Sequence, residues 1–99
     1  MEKRTAHYSL ERIQELLEAG EYVVTLSARK SYTELGLCDE EVLDIVHSLT
    51  PRNLYKSMTS HHDHTLWHDV YHTQYRHLEL YIKLQVTDRA VIISFKERT

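Results

Sequence analysis

Cysteine, proline and glycine are nearly absent from this chain of 99 residues, which has one Cys, one Pro and two Gly. A lone thiol, Cys38, cannot close an internal disulfide, so the fold must rest on packing and suits a reducing compartment. Cys38 reads as a small filler near the start of a helix, with a catalytic thiol as the alternative. With so few breakers, most of the chain should lie in regular elements. Gly20 and Gly36 are isolated, which excludes a glycine-rich phosphate loop, and no serine stands in a nucleophile-elbow context. No apolar run approaches the roughly 20 residues of a membrane span. The polar start, residues 1–10, holds no secretory apolar stretch. These absences predict a soluble cytoplasmic protein with a single domain over residues 1–99.

Charge is present in quantity, and its distribution says more than its sum. The net charge of −3 does not by itself suggest a nucleic-acid binder. Residues 1–50 carry 5 Lys and Arg against 10 Asp and Glu, whereas residues 51–99 carry 7 against 5 and six of the eight histidines. Unless this asymmetry is chance, a polyanion should meet the C-terminal half.

The first half reads as helical. Ser9 caps residues 10–19, where Leu10, Ile13, Leu16 and Leu17 repeat at helical spacing before Gly20. Residues 22–25 are β-branched and predict a short strand. Ser27 is the expected cap of a second helix ending at Gly36. Asp39 is the expected cap of a third, with Val42, Ile45, Val46 and Leu49 as its apolar stripe and Pro51 beyond it.

After Pro51 the period changes to two. Residues 54–59 and 66–75 predict strands around a polar stretch, 60–65. In residues 80–86, Leu80, Ile82, Leu84 and Val86 share one face and Tyr81, Lys83 and Gln85 the other. In residues 91–97 the expected core face is Val91, Ile93 and Phe95, with Ile92, Ser94 and Lys96 opposite. Helices first and an antiparallel sheet afterwards make an α+β domain. Apolar faces must coincide across a ladder, because a one-residue slip turns a core set to solvent. A tight turn centred on Asp88 and Arg89 therefore pairs Val86 with Val91, Leu84 with Ile93 and Ile82 with Phe95. It also sets Tyr81 opposite Lys96 and Lys83 opposite Ser94, within reach of one another.

Residues 60–67 contain His61, His62 and His64 around Asp63, so metal binding must be weighed. A defined site needs three or four converging ligands, and this run has no recognised zinc spacing, so no metal cofactor is expected. Metal-free RNA cleavage is a reaction these residues can support. It needs a base for the 2′-hydroxyl, an acid for the departing 5′-oxygen and cations around the phosphorane. Lys56, His68, Tyr81 and Lys96 lie in the C-terminal strands and could fill those roles. Each also has a plain reading as a packing or solvating residue.

The ordered segments MEKRT (1–5), ELGL (34–37), YKSMT (55–59), DHT (63–65), Trp67, DVY (69–71) and SFKE (94–97) carry a resemblance. Together they are similar to the signature segments of the motility quorum-sensing regulator (MqsR) family, over nearly the whole chain. The resemblance implies a RelE-like fold and a type II toxin, a metal-independent endoribonuclease (mRNA interferase) of the bacterial cytoplasm. It implies sequence-selective cleavage of mRNA at short GC-containing sites without the ribosome. The implied partner is an antitoxin with a zinc-binding region and a helix-turn-helix region.

The family's active groups would fall on Lys56, Tyr81 and Lys96. His68 stands where the family commonly has glutamine, and unlike glutamine it can exchange protons near neutral pH. Arg76 and Lys83 are candidate phosphate contacts, and Trp67 and Tyr55 are candidate platforms for splayed bases. Two rival readings remain. One is a family member that keeps the fold and partner surface but no longer cuts RNA; the other is a histidine-rich metal-binding protein.

Overall fold

A computed structural model describes residues 1–98. Strand β1 (Glu2–Lys3) precedes helix α1 (Leu10–Glu18), strand β2 (Tyr22–Val24), and helices α2 (Leu26–Glu34) and α3 (Asp39–His47). A 3-10 turn (Pro51–Asn53) leads into strands β3 (Leu54–Thr59), β4 (Trp67–Tyr75), β5 (Leu78–Val86) and β6 (Ala90–Glu97). The six strands form one sheet in the order β1-β3-β4-β5-β6-β2. All neighbours are antiparallel except β2 and β6, which run parallel. The helices cover one face, which is the expected α+β architecture.

The helix caps follow local chemistry, with two corrections. Ser9 caps α1 as expected, its hydroxyl accepting from the Arg12 N–H at 3.1 Å. The cap of α2 is Thr25, not Ser27. Strand β2 ends one residue earlier, and Thr25 makes the change. Its N–H still donates to the Ile92 carbonyl at 3.1 Å, while its own carbonyl accepts from the Arg29 N–H at 3.0 Å. Its Oγ1 accepts from the Ala28 N–H at 3.1 Å and donates to the Ile93 carbonyl at 2.8 Å. Cys38, not Asp39, stands at the N-cap of α3; its backbone N–H donates to the Glu41 carboxylate at 3.1 Å. Cys38 is exposed, so it is not a buried filler. Thr25→Ala should cost about 1–2 kcal/mol, since it removes a cap and a strand–helix tie together. Urea unfolding reads this, and a loss below a few tenths of a kcal/mol would contradict the dual role.

Apolar stripes of all three helices meet the sheet. Ile13, Leu16, Leu17, Ala28, Tyr32, Val42, Ile45 and Val46 are buried with Tyr71, Leu80, Ile82, Leu84, Ile92 and Phe95. Tyr32 meets Phe95 edge-to-face at 5.7 Å, a geometry favoured by ring quadrupoles.

The C-terminal hairpin corrects the expected core face of β6. Val86 pairs with Ala90, not Val91, and Leu84 pairs with Ile92, not Ile93. Ala90, Ile92 and Phe95 are the buried residues of β6, while Val91 and Ile93 are half-buried. An irregularity between Lys83 and Leu84 leaves Ile93 as the extra residue of a bulge, which restores the register beyond it. Leu80–Lys83 therefore keep their expected partners, with Tyr81 opposite Lys96 and Lys83 opposite Ser94. The connection from Val86 to its partner is one residue shorter than expected, and a bulge of one extra residue in β6 makes this up. Alternation could not choose the face of Val91, Ile92 and Ile93, because all three are apolar. Parallel pairing with β2 decides it, setting Tyr22 beside Ala90 and Val24 beside Ile92.

The polar N-terminus is also ordered. Glu2 pairs with Met58 and Lys3 with Ser57 along the edge of β3. The arm that follows is held by Asp69, whose side chain is 0% exposed. Its two oxygens accept the His7 N–H at 3.0 and 3.1 Å, and Oδ2 also accepts the Tyr8 N–H at 2.9 Å.

Candidate active site on the open sheet face

Adjacent residues of a strand point to opposite faces. With Leu80 and Ile82 turned towards the helices, Tyr81 and Lys83 must face the other way. Register extends this face across the sheet. Tyr81 lies between His72 of β4 and Lys96 of β6, and Val70, beside Lys83, pairs with Lys56 of β3. Lys56, His72, Tyr81 and Lys96 thus converge from four adjacent strands onto a surface that no helix covers.

A hollow of about 410 Å³ opens here, lined by Tyr55, His72, Tyr81, Lys96, Glu97 and Arg98. The Lys96 ammonium lies 4.9 Å from the Tyr81 ring centre. His72 stacks on Tyr55 at 4.2 Å with the planes 16° apart, and its ring centre is 5.8 Å from that of Tyr81. A register irregularity at the start of β3 lets Tyr55 reach this face. Arg4 spans the rim, donating to the Tyr55 carbonyl at 3.0 Å.

The titratable groups have separated preferences. Burial pushes the Tyr81 phenol up, so it holds its proton at neutral pH. Burial pulls the His72 imidazole down, and the Arg98 and Lys56 cations add to this. The Lys56 ammonium is pushed up by its 2.6 Å ion pair with Glu2, so it stays charged. Lys83 is pulled down by burial and by the Lys96 and Lys56 cations.

Two further expected residues occupy a neighbouring hollow on the same face. His68 and Lys83 line it with Met58, Thr59, Ser60, His61 and His62. Burial, then the Lys83 charge, depresses the His68 imidazole. His68 lies four residues along β4 from His72, about 13 Å at strand rise, and so stands apart from the Tyr81–Lys96 pair.

The sequence pattern of the family described as "Motility quorum-sensing regulator, toxin of MqsA" matches residues 5–97. The chain belongs to this family. The protein named "mRNA interferase toxin MqsR" of Escherichia coli (strain K12) is 39% identical over 98 residues, covering 99% of this chain and 100% of that relative. As a motility quorum-sensing regulator toxin, the chain has an antitoxin counterpart. Its helices on a mainly antiparallel sheet agree with the RelE-like architecture that the resemblance implied.

The fold of this family member does not bring every expected site residue to the hollow. Tyr81, Lys96 and Tyr55 line it, and Lys56 lies beside it with its ammonium 5.3 Å from the Tyr55 ring centre. Alternation turns Trp67 to the opposite side of β4 from His68, where His7 stacks on its ring at 5.3 Å and Lys3 lies 4.3 Å from its centre. Arg76 occupies the β4–β5 turn with a positive φ of 57°, and its guanidinium reaches Glu41 of α3 at 3.6 Å. Its charge is thereby directed to the helical side. Conversely, His72 was missed as a site residue. Counting back from the two-residue turn Arg76–His77 would have placed it opposite Tyr81, as the register does.

The histidine-rich segment has its own local role. Asp63 accepts from the Thr65 N–H at 2.8 Å and the Thr65 hydroxyl at 2.6 Å, so its carboxylate closes a turn. Among the described residues, no group of three or more His, Cys, Asp or Glu side chains is arranged to hold a metal ion. No helix among them is long and apolar enough to cross a membrane.

Proposed function

We propose that this toxin acts in the cytoplasm as an mRNA interferase, cutting single-stranded mRNA without a metal ion at the hollow around Tyr81. The observation that carries this reading is the Tyr81–Lys96 pair with Lys56 beside it, on a sheet face that no helix covers. The 2′-hydroxyl attacks the adjacent phosphorus, the bond to the 5′-oxygen breaks, and a 2′,3′-cyclic phosphate and a 5′-hydroxyl result. Lys56 and Lys96 neutralise the charge that grows on the phosphorane. Tyr81 gives its proton to the departing 5′-oxygen, since a phenol held protonated can donate but not accept.

RNA must displace Glu2 from Lys56 when its phosphate arrives. Lys83 and His68 would then hold a neighbouring phosphate along the same face. Exposed Tyr55 offers a ring for a splayed base. An antitoxin carrying zinc-binding and helix-turn-helix regions is the proposed counterpart.

Purified chain in EDTA, given ribosome-free mRNA, should produce discrete fragments ending in 2′,3′-cyclic phosphate. Intact RNA in that assay, with cutting only on translating ribosomes, would reject the ribosome-independent reading. Intact RNA in both would leave the fold as a non-cleaving binding module.

A further inference from the structure

In the cleavage proposed above, Lys56 and Lys96 are cations and Tyr81 keeps its proton. None of the three can accept the proton that leaves the 2′-hydroxyl. We infer that His72 is the general base of this site, an inference that rests on the ribonuclease reading and adds to it a residue with a defined proton role.

Position is the first argument. His72 pairs directly with Tyr81 across β4 and β5, and it lines the same hollow as Lys96. Face-to-face stacking on Tyr55 fixes the plane of its ring. Among the described residues no hydrogen bond is made to that ring, so its nitrogens remain available to a substrate. The groups around it are Tyr55 and Lys56 from β3, Tyr81 from β5, Lys96, Glu97 and Arg98 at the end of β6, and Glu2 and Arg4 from the N-terminal arm. Cations prevail in this set, which favours a neutral imidazole before RNA binds and an RNA phosphate to offset the imidazolium afterwards. His68 has no comparable claim, because its own hollow lacks Tyr81 and Lys96.

The proton balance closes within the site. An imidazole nitrogen of His72 takes the 2′-hydroxyl proton as the new P–O2′ bond forms. The P–O5′ bond breaks with its electron pair on O5′, which takes the Tyr81 proton. The resulting tyrosinate recovers a proton from the imidazolium, whose ring lies beside it. Net transfer is from O2′ to O5′, with no oxidant, metal or other co-reactant.

The experiment compares wild type, His72→Gln, His72→Ala and His68→Gln on a short single-stranded RNA in EDTA, with kcat and KM followed from pH 4.5 to 8. Wild-type kcat/KM should rise with pH as the imidazole loses its proton, with a midpoint below the ordinary histidine value of about 6.5. In His72→Gln kcat should fall by about 10²–10³-fold, KM should change little, and the acidic limb should vanish. Added imidazole should restore a saturable part of the rate to His72→Ala, which a structural role would not permit. The inference is overturned if His72→Gln cuts within about threefold of wild type, if its acidic limb persists, or if the limb disappears in His68→Gln instead. Those outcomes leave the ribonuclease reading standing. Wild type that leaves the RNA whole at every pH rejects this inference together with ribosome-independent cleavage.

Discussion

Tyr81→Phe should lower kcat for RNA cleavage by about 10²–10³-fold, with little change in melting temperature or in KM. The ring sits half-buried between His72 and Lys96, so phenylalanine preserves its packing and removes only the hydroxyl. Loss of a proton donor acts in the transition state and leaves ground-state binding nearly unchanged. Lys56→Ala should lower kcat/KM by a similar factor with a larger share in KM, because it also removes charge that attracts the phosphate. It should in addition free Glu2, whose carboxyl is held below its usual range by the Lys56 hydrogen bond. Quantified fragment yields over time decide the matter. A Tyr81→Phe chain as fast as wild type would remove the phenol from the mechanism and leave the leaving group to a lysine.

Asp69→Ala should be the most damaging substitution for stability, at about 2–4 kcal/mol. The carboxylate is fully enclosed and accepts the backbone N–H groups of His7 and Tyr8. Alanine leaves those donors without a partner and opens a cavity behind β4. Release of the arm should propagate to the hollow, since Glu2 holds Lys56 and Arg4 holds Tyr55. Asp69→Asn keeps an acceptor and should lose less. For a domain of about 100 residues the alanine variant should melt roughly 10 °C or more below wild type. A shift of only 1–2 °C would mean that β1 pairing, not Asp69, anchors the arm.

The two predictions rest on parts of the molecule that differ in how far they can be read from a linear chain. Helix α1 shows in its apolar spacing and Ser9 cap because both are local, completed within three or four residues. The same holds for the stripe of α3 and the alternation of β5. Tyr81 opposite Lys96 was legible because apolar faces must coincide in a hairpin. It survived only because the shorter loop and the bulge at Ile93 cancelled.

Residue order alone determined the succession of helices and strands, the sided character of β5 and the basic, histidine-rich second half. Its ordered signature segments also carried the family. Tertiary structure decided the rest. A two-residue strand such as β1 has no period to read and exists only because β3 offers a free edge. The inward face of β6 was chosen by a parallel partner more than 60 residues away in sequence. Contacts with distant residues, His7 and Lys3 on Trp67 and Glu41 on Arg76, hold those two side chains away from the hollow. Periodicity reports which side of an element is apolar, but which elements become neighbours depends on contacts between distant residues that no local pattern encodes.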